Sequence, residues 1–297
     1  MAATPTAPFG YLATAMITPF TDGGEVDHQT AWRLARYLTE QGSDTLVVAG
    51  TTGESPTLSD DEKIALFHTV VEAVAEKDTK VVAGTGTYDT HHSVELTARA
   101  AAAGVDGVLA VTPYYNKPTQ DGLVAHFTAI ADVGVPVMLY NIPGRTGRRI
   151  EINTLARLAS HPNVVAVKDA VLDLEFTSET INRVTDLPVY SGQDSLTLPM
   201  VAVGAVGVVS VVSHLAGRTV KKMLEAASSA DWDEARRLHH LVLPLCTACF
   251  LETNPAPVKA AVNAFWEPVG GPRLPLVEAS PETLAAIEKA MTAVRGL

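Results

Sequence analysis

Disulfide chemistry is nearly ruled out by composition. Only two of 297 residues are cysteine, Cys246 and Cys249. That is too few for a disulfide framework, so a reducing, cytoplasmic setting is expected. Positive charge is also scarce: 22 Lys and Arg against 33 Asp and Glu leave a formal charge of −11. The basic residues are scattered, which argues against nucleic acid and anionic membranes as partners and suits a soluble enzyme. No apolar run is long enough to span a bilayer. The opening Met1–Pro8 has neither a basic start nor a long apolar centre, so residues 1–9 are expected to form a flexible tail and not a signal peptide. Solenoid-length repeats and low-complexity segments are missing too. The glycine-rich loop at Gly50 is not closed by Gly-Lys-Ser/Thr, and Gly84-Thr85-Gly86 lacks the third glycine of a dinucleotide turn, so neither reads as a nucleotide site.

What the chain does have is alternation. With 47% hydrophobic residues it can bury a large core. Short apolar runs at Leu12–Ile17, Thr45–Ala49, Lys80–Ala83, Gly107–Val111, Val135–Tyr140, Val164–Lys168, Val189–Ser191 and Gly207–Val211 read as strands. Helix-patterned segments lie between them. Ser59-Asp60-Asp61-Glu62 is a capping box ahead of one, and Gly104 closes another. Pro136, Pro162 and Pro188 stand at or just before strands, where a missing N–H costs least. Eight strands alternating with helices in roughly 220 residues fit an α/β fold of the (β/α)8 TIM-barrel type. A doubly wound sheet is the rival that periodicity leaves standing. The barrel is favoured because Thr51, Thr85, Thr112, Tyr140, Lys168 and Gly192 all fall at or just past strand ends, the face where barrel enzymes gather their chemistry. After about Arg218 the alternation stops, and Lys221–Ser228, Trp232–Phe250, Ala256–Trp266 and Pro281–Val294 read as helices, with Pro244 expected to kink or break the second. The expected organisation is a catalytic barrel over 10–228 and a C-terminal helical extension over 229–297.

The chemistry centres on Asn163–Ala170, an apolar run that ends in Lys168-Asp169. A lysine buried at a strand end favours its neutral amine, and a neutral amine attacks carbonyl carbon to give a Schiff base. Taken alone, Lys168 reads better as a lysine that merely marks where a strand reaches solvent. Three loops tip the balance. Gly50-Thr51-Thr52-Gly53-Glu54-Ser55 offers amides and hydroxyls suited to a small carboxylate. Thr112-Pro113-Tyr114-Tyr115 places adjacent phenols that point to different sides. Tyr140-Asn141-Ile142-Pro143-Gly144-Arg145 combines a phenol with a guanidinium able to fork a second carboxylate. A phenol titrates near 10 and needs a hydrogen-bonded relay to exchange protons near neutrality; Thr51 between two tyrosines would supply it. Cys246-x-x-Cys249 has no second pair for zinc and reads as buried packing, and His91-His92 and His239-His240 read as surface helix residues.

In combination the Gly-Thr-Thr-Gly-Glu-Ser and Tyr-Asn-Ile-Pro-x-Arg-Thr-Gly loops closely resemble those of the dihydrodipicolinate synthases, in the pyruvate-dependent class I aldolase superfamily that includes N-acetylneuraminate lyase. The resemblance runs from about Gly10 to Arg218 and more weakly beyond. It implies a homotetramer of tight dimers that joins pyruvate to L-aspartate 4-semialdehyde without metal or organic cofactor, in diaminopimelate and lysine synthesis. It assigns the Schiff base to Lys168, the pyruvate carboxylate to Thr51 and Thr52, and general acid/base work to Tyr140. Tyr115 would complete the relay from the neighbouring subunit, Arg145 would receive the acceptor carboxylate, and Gly192 and Val209 would line the pyruvate pocket. A sister aldolase acting on a sugar acid is the alternative; Arg145 separates the two, because a polyol acceptor calls for neutral donors there. A barrel retained only for binding is disfavoured by the presence of Lys168 and Tyr140. The chain departs from the family pattern at Asp169-Ala170-Val171-Leu172-Asp173, which lacks a glycine, and at Ser191-Gly192-Gln193-Asp194. It also departs at Asp60, Lys63, Tyr88 and His92, positions that align with the lysine-effector site of inhibited members, and weak sensitivity to lysine is expected.

Overall fold

The computed structural model describes residues 6–296. Eight parallel strands, β1 Leu12–Ala15, β2 Thr45–Val48, β3 Lys80–Gly84, β4 Gly107–Val111, β5 Val137–Asn141, β6 Val164–Asp169, β7 Val189–Ser191 and β8 Gly207–Ser210, pair in sequence order. β8 pairs with β1 (Ala13 opposite Val209), so the sheet closes and the doubly wound alternative falls. The helices are α1 His28–Glu40, α2 Asp60–Val74, α3 Thr90–Ala102, α4 Gln120–Ala131, α5 Pro143–Thr146, α6 Ile152–Ala159, α7 Leu174–Arg183, α8 Thr197–Ala202, α9 Ser213–Ser228, α10 Trp232–Ala248, α11 Ala256–Phe265 and α12 Pro281–Arg295. The result is a TIM barrel with C-terminal helices.

Local chemistry explains the element boundaries. Ser59 accepts from the Glu62 N–H while the Glu62 carboxylate accepts from the Ser59 N–H, a complete capping box. Asp27, Asp89, Thr119, Asp173 and Ser280 cap five further helices through their side chains. Gly104 takes φ +86 beyond α3, the left-handed turn that glycine makes at least cost. The break that was one of the two expected outcomes does not occur: α10 runs unbroken through Pro244. Its position is exposed, so the missing hydrogen bond falls on the solvent side, where helices curve outward.

Strand alternation separates two apolar layers. Val47, Val82, Leu109, Met138, Ala166 and Val209 fill the barrel interior, while Leu46, Val81, Val108, Leu139 and Val167 face the helices. Of the expected tail, residues 1–5 lie outside the described residues. Its far end is anchored: Phe9 is buried, its N–H donates to the Tyr190 hydroxyl and its carbonyl accepts from Thr45 Oγ1. The C-terminal helices share a core with the barrel, since Leu12 and Val208 pack with Val220, Leu238, Val242 and Ile287. Among the described residues no helix is long and apolar enough to cross a membrane.

Candidate active site

Lys168 and Tyr140 occupy the carboxyl ends of adjacent strands β6 and β5, opposite each other in the register. A one-residue shift between Val137 and Met138 makes them partners. Val137 pairs with Val164 but Met138 with Ala166, so Val165 is the extra residue of a bulge. Lys168 is 6% exposed, and its Nζ lies 4.2 Å from the centre of the Tyr140 ring. Ala166 and Met138, two residues back on each strand, belong to the interior layer, so both functional side chains belong to the interior face.

A cavity of about 210 Å³ is lined by Thr51, Tyr140 and Arg145, together with Ser55, Gly84, Gly86 and Tyr114; Lys168 does not line it and meets it only through the Tyr140 ring. Gly84, expected only in a turn, closes β3 against the Thr51 loop: a Cβ there would sit 2.2 Å from the Ala49 carbonyl oxygen. Arg145 is carried by α5 and is exposed, with Nη2 3.5 Å from the Asn254 carbonyl. The loop beyond it is held by Asn141, whose side-chain amide donates to the Ile150 carbonyl and accepts from its N–H.

The other expected residues, Thr52, Gly192, Val209 and Tyr115, do not line this cavity. Thr52 is buried, and its hydroxyl accepts from Asn254 Nδ2 at 2.9 Å, which leaves the O–H proton free to donate. Gly192 donates its N–H to the Asp169 carbonyl at 2.7 Å; a Cβ on it would meet the Ala170 Cβ at 2.8 Å, so β6 and β7 approach this closely only with glycine. Val209 belongs to the interior layer. Tyr115 is not brought to the cavity by its own chain: it is 93% exposed and held at φ +72. Its neighbour Tyr114 lines the cavity and stacks edge-on against Tyr88 at 5.4 Å.

Two buried carboxylates flank the lysine strand. Asp194 accepts from Ser210 Oγ and the N–H groups of Val211 and Val212, tying the turn after β7 to the end of β8. Burial drives its carboxyl above the usual range, opposed by those hydrogen bonds and by the charge of Lys168. Asp169 accepts from Thr177 Oγ1 and the Val171 N–H, and burial likewise raises it. Cys246 and Cys249 are free and buried, with burial pushing both thiols up. His92 bonds Asp60, and His91 pairs with Glu95 on the surface. Among the described residues no three His, Cys, Asp or Glu side chains converge as a metal site.

The model of the dihydrodipicolinate synthetase family matches residues 8–294, almost the whole chain. The chain belongs to the dihydrodipicolinate synthetase family. It is 52% identical over 283 residues to a 4-hydroxy-tetrahydrodipicolinate synthase of Heliobacterium modesticaldum, covering 95% of this chain and 94% of that protein. The dihydrodipicolinate synthase of Cyanidioschyzon merolae, solved with lysine bound, is 43% identical with a TM-score of 0.96, over 98% of this chain and 100% of that one. A monomeric dihydrodipicolinate synthase variant superposes with a TM-score of 0.94 at 38% identity, over 99% of each chain. These similarities carry the lyase reading of the sequence.

Two features of this dihydrodipicolinate synthetase site were not legible as site residues. Asn254 reaches Thr52 from the lead-in to α11, 202 residues away. In the sequence Asn254-Pro255 signals only a turn. Glu54 stood in the motif, but its partner Lys259 could not be read from any local pattern.

Proposed function

We propose that this chain is a 4-hydroxy-tetrahydrodipicolinate synthase that condenses pyruvate with L-aspartate 4-semialdehyde through an imine on Lys168. The observation that carries this reading is the buried Lys168 amine against the Tyr140 ring, a ring that lines one cavity with Thr51 and Arg145. Near one-half identity to enzymes of that name supports the reaction.

The roles follow from position. The Lys168 amine adds to the keto carbon of pyruvate, and Tyr140 supplies the proton with which the carbinolamine hydroxyl leaves as water. The imine withdraws electrons from the methyl carbon, which loses a proton to give the enamine. The enamine carbon bonds to the aldehyde carbon, and the aldehyde oxygen takes up a proton. Attack of the acceptor's own amine on the imine carbon then closes the ring and releases Lys168. Thr51 and Thr52 hold the pyruvate carboxylate, and Gly192 and Val209 bound its pocket. Arg145, exposed at the cavity mouth, suits an acceptor bearing a carboxylate and not a polyol. The electron sink is the imine itself, so the reading calls for no added cofactor.

Tyr115 enters this scheme only from a second copy, since its own chain leaves it exposed. The working enzyme on this reading is a homotetramer of tight dimers in the cytoplasm, where buried free thiols stay reduced. The test is a coupled assay with pyruvate and L-aspartate 4-semialdehyde beside a sialic-acid cleavage assay. Turnover in the first alone supports the proposal; turnover in the second alone transfers the site to the sugar-acid aldolases.

A further inference from the structure

The loop that follows β2 is held in an uncommon shape. Ala49 and Glu54, at its two ends, both sit in the left-handed region (φ 50 and 57), a conformation that costs a non-glycine residue about 1–2 kcal/mol. Within the loop the Glu54 N–H donates to the Thr51 carbonyl at 3.1 Å and Thr18 Oγ1 donates to the Gly53 carbonyl at 2.7 Å. These bonds restrict the loop but do not tie it to anything beyond the barrel.

The Glu54 side chain supplies that tie. It turns away from the cavity into the protein, where its Oε1 accepts from Lys259 Nζ at 2.7 Å and both side chains are 1% exposed. Oε2 accepts from the Arg273 N–H at 2.8 Å. Lys259 is fixed in turn: it donates to the Gly271 carbonyl at 2.9 Å and lies 4.1 Å from the centre of the Phe20 ring. Asn254, five residues earlier on the same segment, grips Thr52. The helical extension therefore holds the loop at two points, at Thr52 and two residues on at Glu54.

A buried ion pair is a poor source of net stability, because desolvating both charges offsets their attraction; well-packed apolar residues would serve as well. It does give direction, since its hydrogen bonds are satisfied in only one arrangement. It also cancels a charge. Glu54 unpaired would place a carboxylate two residues from the hydroxyl offered to the substrate's own carboxylate, where like charges repel in a low-dielectric setting.

We infer that the Glu54–Lys259 pair is a positioning device that holds the Thr51–Thr52 loop ready for the keto acid's carboxylate, so that the C-terminal extension sets pyruvate affinity. The inference rests on the proposed placement of pyruvate at Thr51 and Thr52. Glu54 and Lys259 do not line the cavity; they act through the loop.

Borohydride trapping across a pyruvate titration, read as the fraction of chain carrying the reduced pyruvyl mass, tests this directly. In Lys259→Met the half-saturating pyruvate concentration rises about tenfold, while kcat at saturation stays within about twofold and the aldehyde KM is unchanged. Adding Glu54→Gln to Lys259→Met removes the orphaned charge and brings the rise back to about threefold. If Lys259→Met does not fold, the double variant carries the test, and a wild-type half-saturation in it overturns the inference. So does a folded Lys259→Met whose melting temperature falls with no change in pyruvate half-saturation, or one in which the aldehyde KM rises equally. No adduct on wild-type Lys168 is a different failure: it removes the pyruvate reading itself and the inference with it.

Discussion

Tyr140 and Lys168 are register partners across β5 and β6, with the lysine Nζ 4.2 Å from the phenol ring centre. The contact places the proposed nucleophile and the proposed proton donor on one interior face, within the span of a three-carbon acid. It also divides their roles cleanly. Lys168→Ala should give no borohydride adduct at any pyruvate concentration. Tyr140→Phe should still bind both substrates but lose roughly 10²–10⁴-fold in kcat, the usual contribution of one general acid/base. A Tyr140→Phe enzyme with wild-type turnover would remove the phenol from the mechanism, and an adduct mapped to another lysine would remove Lys168.

Arg145 lines the cavity and is exposed, with only a 3.5 Å approach to the Asn254 carbonyl. Arg145→Ala should raise the aldehyde KM about 10–100-fold, the loss expected for a charge-assisted fork, with pyruvate trapping largely intact. Equal losses for pyruvate and aldehyde would mean that Arg145 supports the structure of the loop.

Buried histidines set an acid limit on stability. Burial lowers His126 and His214 to about 4. His214 donates from Nδ1 to the Val211 carbonyl and accepts at Nε2 from the Ile17 N–H, so it must stay neutral. The unfolded chain titrates near 6.5 and therefore binds more protons than the folded one between about 6.5 and 4. The stability due to neutral burial is complete above about 6.5 and is lost as pH falls towards 4, by about 1–2 kcal/mol per histidine between pH 7 and 5. Urea midpoints at those two pH values measure the loss. His126 Nε2 has no hydrogen-bond partner among the described residues. His126→Leu should thus fold at pH 7 and show a smaller fall at pH 5; an unchanged fall would exclude His126 from the effect.

Lysine should inhibit weakly or not at all. Asp60, itself one of the aligned effector positions, is engaged by His92 Nε2 at 2.7 Å and by Lys63 Nζ at 3.7 Å. An incoming ammonium meets a carboxylate already paired, beside a second ammonium. Initial rates over a lysine titration at fixed pyruvate decide the matter, and strong inhibition below millimolar lysine would show a working site despite those contacts.

The sequence by itself determined eight strands alternating with helices; only the pairing of β8 with β1 decided that they close into a barrel. Short continuous apolar runs spaced by capped helices suit strands buried on both faces, and all eight runs became strands with ends shifted by at most two residues. It also determined the candidates at those ends, because side-chain type and strand position are both local properties. That Pro244 leaves α10 unbroken was not legible, because propensity alone does not say which side of a helix faces solvent. Only the tertiary structure decided which candidates meet. The bulge at Val165 makes Tyr140 and not its neighbour the partner of Lys168, and registers of that kind depend on packing across strands. The grips of Asn254 on Thr52 and Lys259 on Glu54 span 202 and 205 residues. A contact between segments so far apart exists only once the chain has closed the barrel and laid its last helices against it, and no local pattern encodes it.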